Sequence, residues 1–205
     1  MSIASRLKIV AIGDSTTAGT PGFLSPLESP PNGEGDEKSQ YAYWMVKAHP
    51  EWDVLNRGIN GQRTDQILSR FPRDVLGEKP WVAVILGGVN DIFQGFSVQS
   101  VQKNLERMYV LAGQSGVKPI ACTVLPYDYM GPREEKALAS LNKWISLECG
   151  RLSIPLADTN SAVADPKDPF KLSSSPDGLH PDVEGYRKMA GAISREVEGL
   201  LARGG

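Results

Sequence analysis

Four short clusters of small, polar and ionisable residues are spread along the chain: Gly13-Asp14-Ser15-Thr16, Gly58-Ile59-Asn60-Gly61, Gly87-Gly88-Val89-Asn90-Asp91 and Asp177-Gly178-Leu179-His180-Pro181. A serine hydroxyl such as that of Ser15 is a weak nucleophile until a neighbouring base takes its proton. The chain has 2 histidines. His49, in Ala48-His49-Pro50, fits an exposed cap at the carboxyl end of a helix, which leaves His180 as the candidate base. An imidazole base needs a partner that fixes its tautomer and stabilises its cation, and Asp177 stands one turn before His180. A tetrahedral intermediate further needs hydrogen-bond donors aimed at its oxyanion. The backbone amides of Ser15 and Gly61 and the side-chain amide of Asn90 can supply them, with Gly58 as the competing glycine. Asp14 and Asp91, beside the nucleophile and the amide, are expected to brace their loops by hydrogen bonding rather than to ligate a metal.

These clusters need elements to carry them. Short β-rich apolar runs at residues 7–12, 54–56, 82–86, 120–125 and 154–157 alternate with stretches whose apolar residues recur at helical spacing: Val101, Leu105, Met108 and Ala112, then Leu138, Leu141 and Ile145. In the last stretch Val183, Tyr186, Ala190, Ile193, Val197 and Leu200 step by three and four, with Pro181 expected in the first turn. Alternating strands and helices predict a doubly wound α/β domain with a parallel sheet of five strands. In such sheets ligands bind beyond the carboxyl ends of the strands. Three of the clusters follow predicted strands there, and the fourth precedes the last helix.

The alternation runs without a linker, so residues 1–205 read as one domain. Residues 19–40 interrupt the rhythm with four prolines and several glycines, where strand-to-helix loops are usually about 2 to 6 residues long. That segment is expected to wall or cover the site. Phe23, Phe93, Tyr127 and Tyr129 are candidates for lining a substrate pocket.

Composition narrows the function classes. With 40% hydrophobic and 22% charged residues the chain of 205 residues is an ordinary globular sequence. Its 22 basic and 24 acidic residues give a formal charge of -2, which offers no electrostatic footprint for nucleic acid. No apolar run approaches the length of about 20 residues that spans a bilayer. Residues 1–12 lack the long apolar region and cleavage site of a signal peptide, so the expected location is cytoplasmic unless a leader has been removed. Cys122 and Cys149 are expected to be buried thiols. There is no Gly-x-Ser-x-Gly elbow, no phosphate loop and no dinucleotide fingerprint.

Taken in order from Gly13 to His180, the four clusters resemble the sequence blocks of the SGNH hydrolase superfamily, the GDSL-type esterases and lipases, over nearly the whole chain. The resemblance implies a three-layer α/β/α sandwich with a five-stranded parallel sheet, the flavodoxin-like SGNH fold. It also implies activity on esters or thioesters and no required cofactor or metal. It assigns Ser15 as nucleophile, Asp177 and His180 as the base pair, and Ser15, Gly61 and Asn90 as the oxyanion hole. Gly61 is favoured over Gly58 because it precedes the helix start at Thr64, as the matching glycine does in the family. Thr16 stands where the name-giving motif has leucine, and Gln62-Arg63-Thr64 where many relatives have an acidic residue and threonine. The expected activity is a serine esterase working through an acyl-enzyme, on small-molecule or carbohydrate-linked esters with short acyl or acetyl groups. An acyltransferase or thioesterase with the same triad, or a catalytically silent binding module, are the alternatives.

Overall fold

The computed structural model describes residues 6–204, so residues 1–5, on which the reading of the amino terminus partly rests, lie outside it. The central sheet has five parallel strands in the order β4-β1-β5-β6-β7. These are β1 (Leu7–Gly13), β4 (Trp52–Gly58), β5 (Val82–Ile85), β6 (Lys118–Cys122) and β7 (Leu156–Ala157), with a small hairpin of β2 (Phe23–Leu24) and β3 (Glu34–Gly35) between β1 and β4. A second hairpin, β8 (Ala164–Asp165) and β9 (Asp168–Leu172), follows β7 and has no counterpart among the predicted strands.

The helices are α1 (Ser15–Ala18), α2 (Tyr41–Ala48), α3 (Thr64–Asp74), α4 (Val89–Phe93), α5 (Val98–Gln114), α6 (Pro132–Leu152), α7 (Thr159–Val163) and α8 (Val183–Gly204). They form layers on both faces because successive strand residues point to opposite sides. On β1, Val10 and Ile12 pack with α3, α5 and α6 through Phe71, Leu105 and Leu141. Ile9 and Ala11 pack with α2 and α8 through Met45 and Ile193. This is the expected α/β sandwich. Cys122 and Cys149 are buried, one in each layer of core, and burial pushes the Cys149 thiol up to about 11. No described helix is long and apolar enough to cross a membrane.

Several expected boundaries move for local reasons. The run at 120–125 leaves the sheet after Cys122, where the Asn142 side chain takes over both backbone groups of Val124. Pro181 lies before α8 rather than in its first turn, because Asp182 starts the helix: its carboxylate accepts the Gly185 N–H at 2.7 Å, and its carbonyl accepts that of Tyr186. His49 does cap α2, through its N–H to the Met45 carbonyl, but its ring stacks on Trp52 at 3.8 Å and is mostly covered rather than exposed.

Candidate active site

Ser15 begins α1, directly beyond the carboxyl end of β1. Asp14 caps that turn by accepting the Thr16 N–H at 3.0 Å. Although 165 residues separate them in sequence, Ser15 Oγ lies 2.9 Å from His180 Nε2. His180 Nδ1 in turn lies 2.7 Å from Asp177 Oδ2. The other Asp177 oxygen accepts the backbone N–H groups of Leu179 and His180 at 2.9 and 2.8 Å. Burial alone would raise the Asp177 carboxyl, but the His180 hydrogen bond and these two amides outweigh it and hold the group below its ordinary range. An ionised carboxylate only accepts, so Nδ1 must carry a proton, and in the neutral imidazole this leaves a lone pair on Nε2 facing the Ser15 hydroxyl.

Ser175 holds this turn, and nothing in the sequence singled it out. Its hydroxyl donates to the His180 carbonyl at 2.6 Å and accepts the Gly178 N–H at 2.7 Å. A serine five residues before a histidine carries no periodic signal; only the closed turn shows the contact.

The structure separates the two glycines. A Cβ at Gly58 would lie 2.1 Å from the Ala18 nitrogen, so that glycine lets α1 pack on β4, and its N–H is already given to Asn56 Oδ1 at 2.9 Å. Gly61 has φ +70 with open space around a built Cβ, a conformation that costs other residues about 1 to 2 kcal/mol. Its N–H has no partner among the described residues, and it borders the same cavity as Ser15. Asn90 Nδ2 donates to the Gln62 carbonyl at 3.0 Å. An amide nitrogen carries two hydrogens, so one remains for the cavity that Asn90 also lines.

That cavity measures about 220 Å³. Thr16, Asn60 and Asn90 join Ser15 and His180 on its polar side, and Val89, Phe93, Tyr127 and Leu179 make its apolar wall. Phe93 and Tyr127 therefore do line it, their rings edge to face at 5.9 Å. Tyr129 packs on Gly178, is 72% exposed and is not among the residues that line the cavity. Phe23 is buried against Gly33 in the β2–β3 hairpin and does not reach the cavity. Nor does any other residue of 19–40 line it, which corrects the expected wall or lid. The segment folds back beside the loop after β4 because its polar side chains bond there: Ser25 Oγ to the Gly58 carbonyl at 2.6 Å, and Glu28 Oε1 to the Asn60 N–H at 2.8 Å.

Both aspartates brace loops. Asp91 accepts the N–H and hydroxyl of Thr64 at 2.9 and 2.7 Å, capping α3 from across the site. Burial raises its carboxyl against those hydrogen bonds. Asp14 is pushed from 3.8 to about 7, first by burial and further by the charge of Asp91, with the Thr16 hydrogen bond opposing. A raised folded-state value means that the native chain holds this proton more tightly than the unfolded chain. The contribution to stability is therefore full below about pH 4 and is lost as pH rises to about 7. We expect the stability of Asp14→Asn relative to the parent to grow by roughly 2 to 3 kcal/mol between pH 5 and 8, read by urea unfolding at each pH. A gap that stays constant over that range rules out a protonated Asp14.

A family model described as GDSL-like Lipase/Acylhydrolase matches residues 11–188. In sequence the chain is 25% identical over 225 residues to the acetylxylan esterase of Geobacillus stearothermophilus, covering 96% of each. It is also 25% identical over 181 residues to thioesterase 1/protease 1/lysophospholipase L1 of Escherichia coli K12, covering 82% of this chain and 79% of that one. Among solved structures, a GDSL-like lipase from Bacteroides thetaiotaomicron superposes with a TM-score of 0.75 at 25% identity, over 95% of this chain and 89% of that one. The lipase/acylhydrolase from Enterococcus faecalis gives 0.71 at 25% identity, over 94% and 96%.

Proposed function

Because the chain belongs to the GDSL-like lipase/acylhydrolase family and is an ester-hydrolysing enzyme, we propose that it is a serine esterase whose triad is Ser15, His180 and Asp177. The observation that carries this reading is the unbroken relay from Ser15 Oγ through the imidazole to Asp177, at 2.9 and 2.7 Å. Ser15 Oγ attacks the ester carbonyl carbon while His180 Nε2 takes its proton, and the imidazolium is stabilised by Asp177. The oxyanion accepts hydrogen bonds from the Ser15 and Gly61 N–H groups and Asn90 Nδ2. Collapse of the intermediate breaks the bond to the alcohol oxygen, which leaves with the His180 proton. Water, deprotonated by the same imidazole, then releases the acid and restores Ser15. Either Gly61→Ala or Asn90→Ala is expected to lower kcat about 10²- to 10³-fold, since each displaces or removes one donor. Unchanged turnover in both variants removes these groups from the oxyanion hole.

The substrates we assign are esters with short acyl or acetyl groups. A cavity of about 220 Å³ falls below the range of about 300–1,000 Å³ that encloses drug-sized ligands, and Val89, Phe93, Tyr127 and Leu179 give it a short apolar wall. The relative named an acetylxylan esterase supports the same class. A series of p-nitrophenyl esters from acetate to palmitate tests this. kcat/KM should peak at the short end, whereas a maximum at long chains, or faster cleavage of thioesters than of matched oxygen esters, overturns the short-ester assignment.

A further inference from the structure

The amide proposed to hold the oxyanion is itself tied down by nothing. Gly61 has no side chain, a built Cβ there meets no atom within 4 Å, and its N–H is unpartnered among the described residues. Its position must come from its neighbours, and both are anchored. On one side the Asn60 N–H donates to Glu28 Oε1 at 2.8 Å, and the Thr20 hydroxyl donates to Asn60 Oδ1. Glu28 Oε2 accepts the Ser25 N–H at 3.1 Å, and Ser25 Oγ returns to the Gly58 carbonyl at 2.6 Å. On the other side Gln62 Oε1 accepts from Arg70 Nε at 2.6 Å. The buried Arg70 guanidinium also donates to the carbonyls of Gly13 and Arg57, both at 2.8 Å.

We propose that Glu28 is a positioning residue for the oxyanion hole, so that the segment 19–40 serves as a brace for the Gly61 amide rather than as a pocket wall. This rests on the reading of Gly61 as an oxyanion donor. Three features support it. The Glu28 bond to Asn60 crosses 32 residues, so it does more than close the local turn at Ser25. It is charge-assisted, and such bonds are roughly twice as strong as neutral ones. It acts on the residue next to the donor, where a shift of about 1 Å can cost about 100-fold in rate.

The test measures kcat per active site for the parent, Glu28→Ala, Glu28→Gln and the surface control Glu37→Ala, with sites counted by the end point of titration with a serine-directed phosphonate. Counting sites removes any loss that reflects unfolded protein. In Glu28→Ala, kcat per titrated site should fall about 10- to 100-fold, with KM within about twofold and the Ki of a boronic acid, whose tetrahedral adduct occupies the same hole, raised by a similar factor. Glu28→Gln keeps the shape but can accept only one of the two amides, so it should fall between; Glu37→Ala should match the parent. Parent-like kcat per titrated site in both Glu28 variants overturns the proposal while leaving the triad intact. A parent enzyme that the phosphonate does not label, or that stays active as Ser15→Ala, removes the underlying reading instead.

Discussion

Ser15→Ala is expected to fold as the parent does and to lose hydrolysis of p-nitrophenyl acetate by about 10⁴- to 10⁶-fold. Folding should survive because, among the described residues, the Ser15 side chain makes a single hydrogen bond, to His180, while the turn of α1 is capped by Asp14 through a backbone amide that the substitution leaves alone. Alanine is also the better helix former. The chemical loss should be near total because no other hydroxyl among the described residues bonds the imidazole; Thr17, two residues on, is bonded to Tyr41. What survives would be transition-state binding by the oxyanion donors acting on attack by water. The measurement is kcat/KM beside a melting curve, and near-normal turnover by a folded variant sinks the mechanism.

Asp177→Asn should be nearly as damaging, at about 10⁴-fold in kcat, and its cause lies in the direction of one proton. The inner oxygen of Asp177 accepts the Leu179 and His180 N–H groups, so in the variant the carbonyl oxygen of asparagine must stay there and its NH₂ must face His180 Nδ1. That nitrogen then accepts, and the ring proton moves to Nε2. The Ser15 hydroxyl would meet an N–H instead of a lone pair, with the geometry of the site unchanged. A structure of the variant showing the turn intact, together with the kinetic loss, distinguishes this from collapse of the turn. Turnover within tenfold of the parent means that Asp177 does not set the tautomer.

Much of this arrangement is written locally. The alternation of β-rich runs with helical spacing predicts the parallel sheet because apolar periodicity follows from which side of each element is buried. Ser15, Gly61, Asn90 and Asp91 all stand within a few residues of a strand's carboxyl end, where an open α/β sheet exposes its crevice. Their candidacy thus needs chain order and strand direction rather than coordinates. Asp177 and His180 follow the same way, since a carboxylate one turn before an imidazole can reach it. For Ser15, Asn90, Asp91, Asp177 and His180, residue type and position relative to an element were sufficient to name them as candidates, and the structure brings Ser15, Asp177 and His180 within hydrogen-bond distance.

The tertiary structure alone decided whatever depends on contact between distant segments. Gly58 and Gly61 look alike by residue type and position, and only the family resemblance favours Gly61; the physical difference is the packing of Ala18 against one and the positive φ and open surroundings of the other. Residues 19–40 carry prolines and glycines that mark an irregular segment, but no pattern says that Glu28 reaches Asn60 or that Phe23 turns into the hairpin's own core. Arg70 sits on a helix as an ordinary charged residue until its guanidinium is seen joining the ends of β1 and β4 to Gln62. Burial periodicity is a property of one element and its own chain, and can be read along it. A hydrogen bond between segments tens of residues apart depends on the relative placement of two elements to within about half an ångström, and that placement exists only once the whole core has packed.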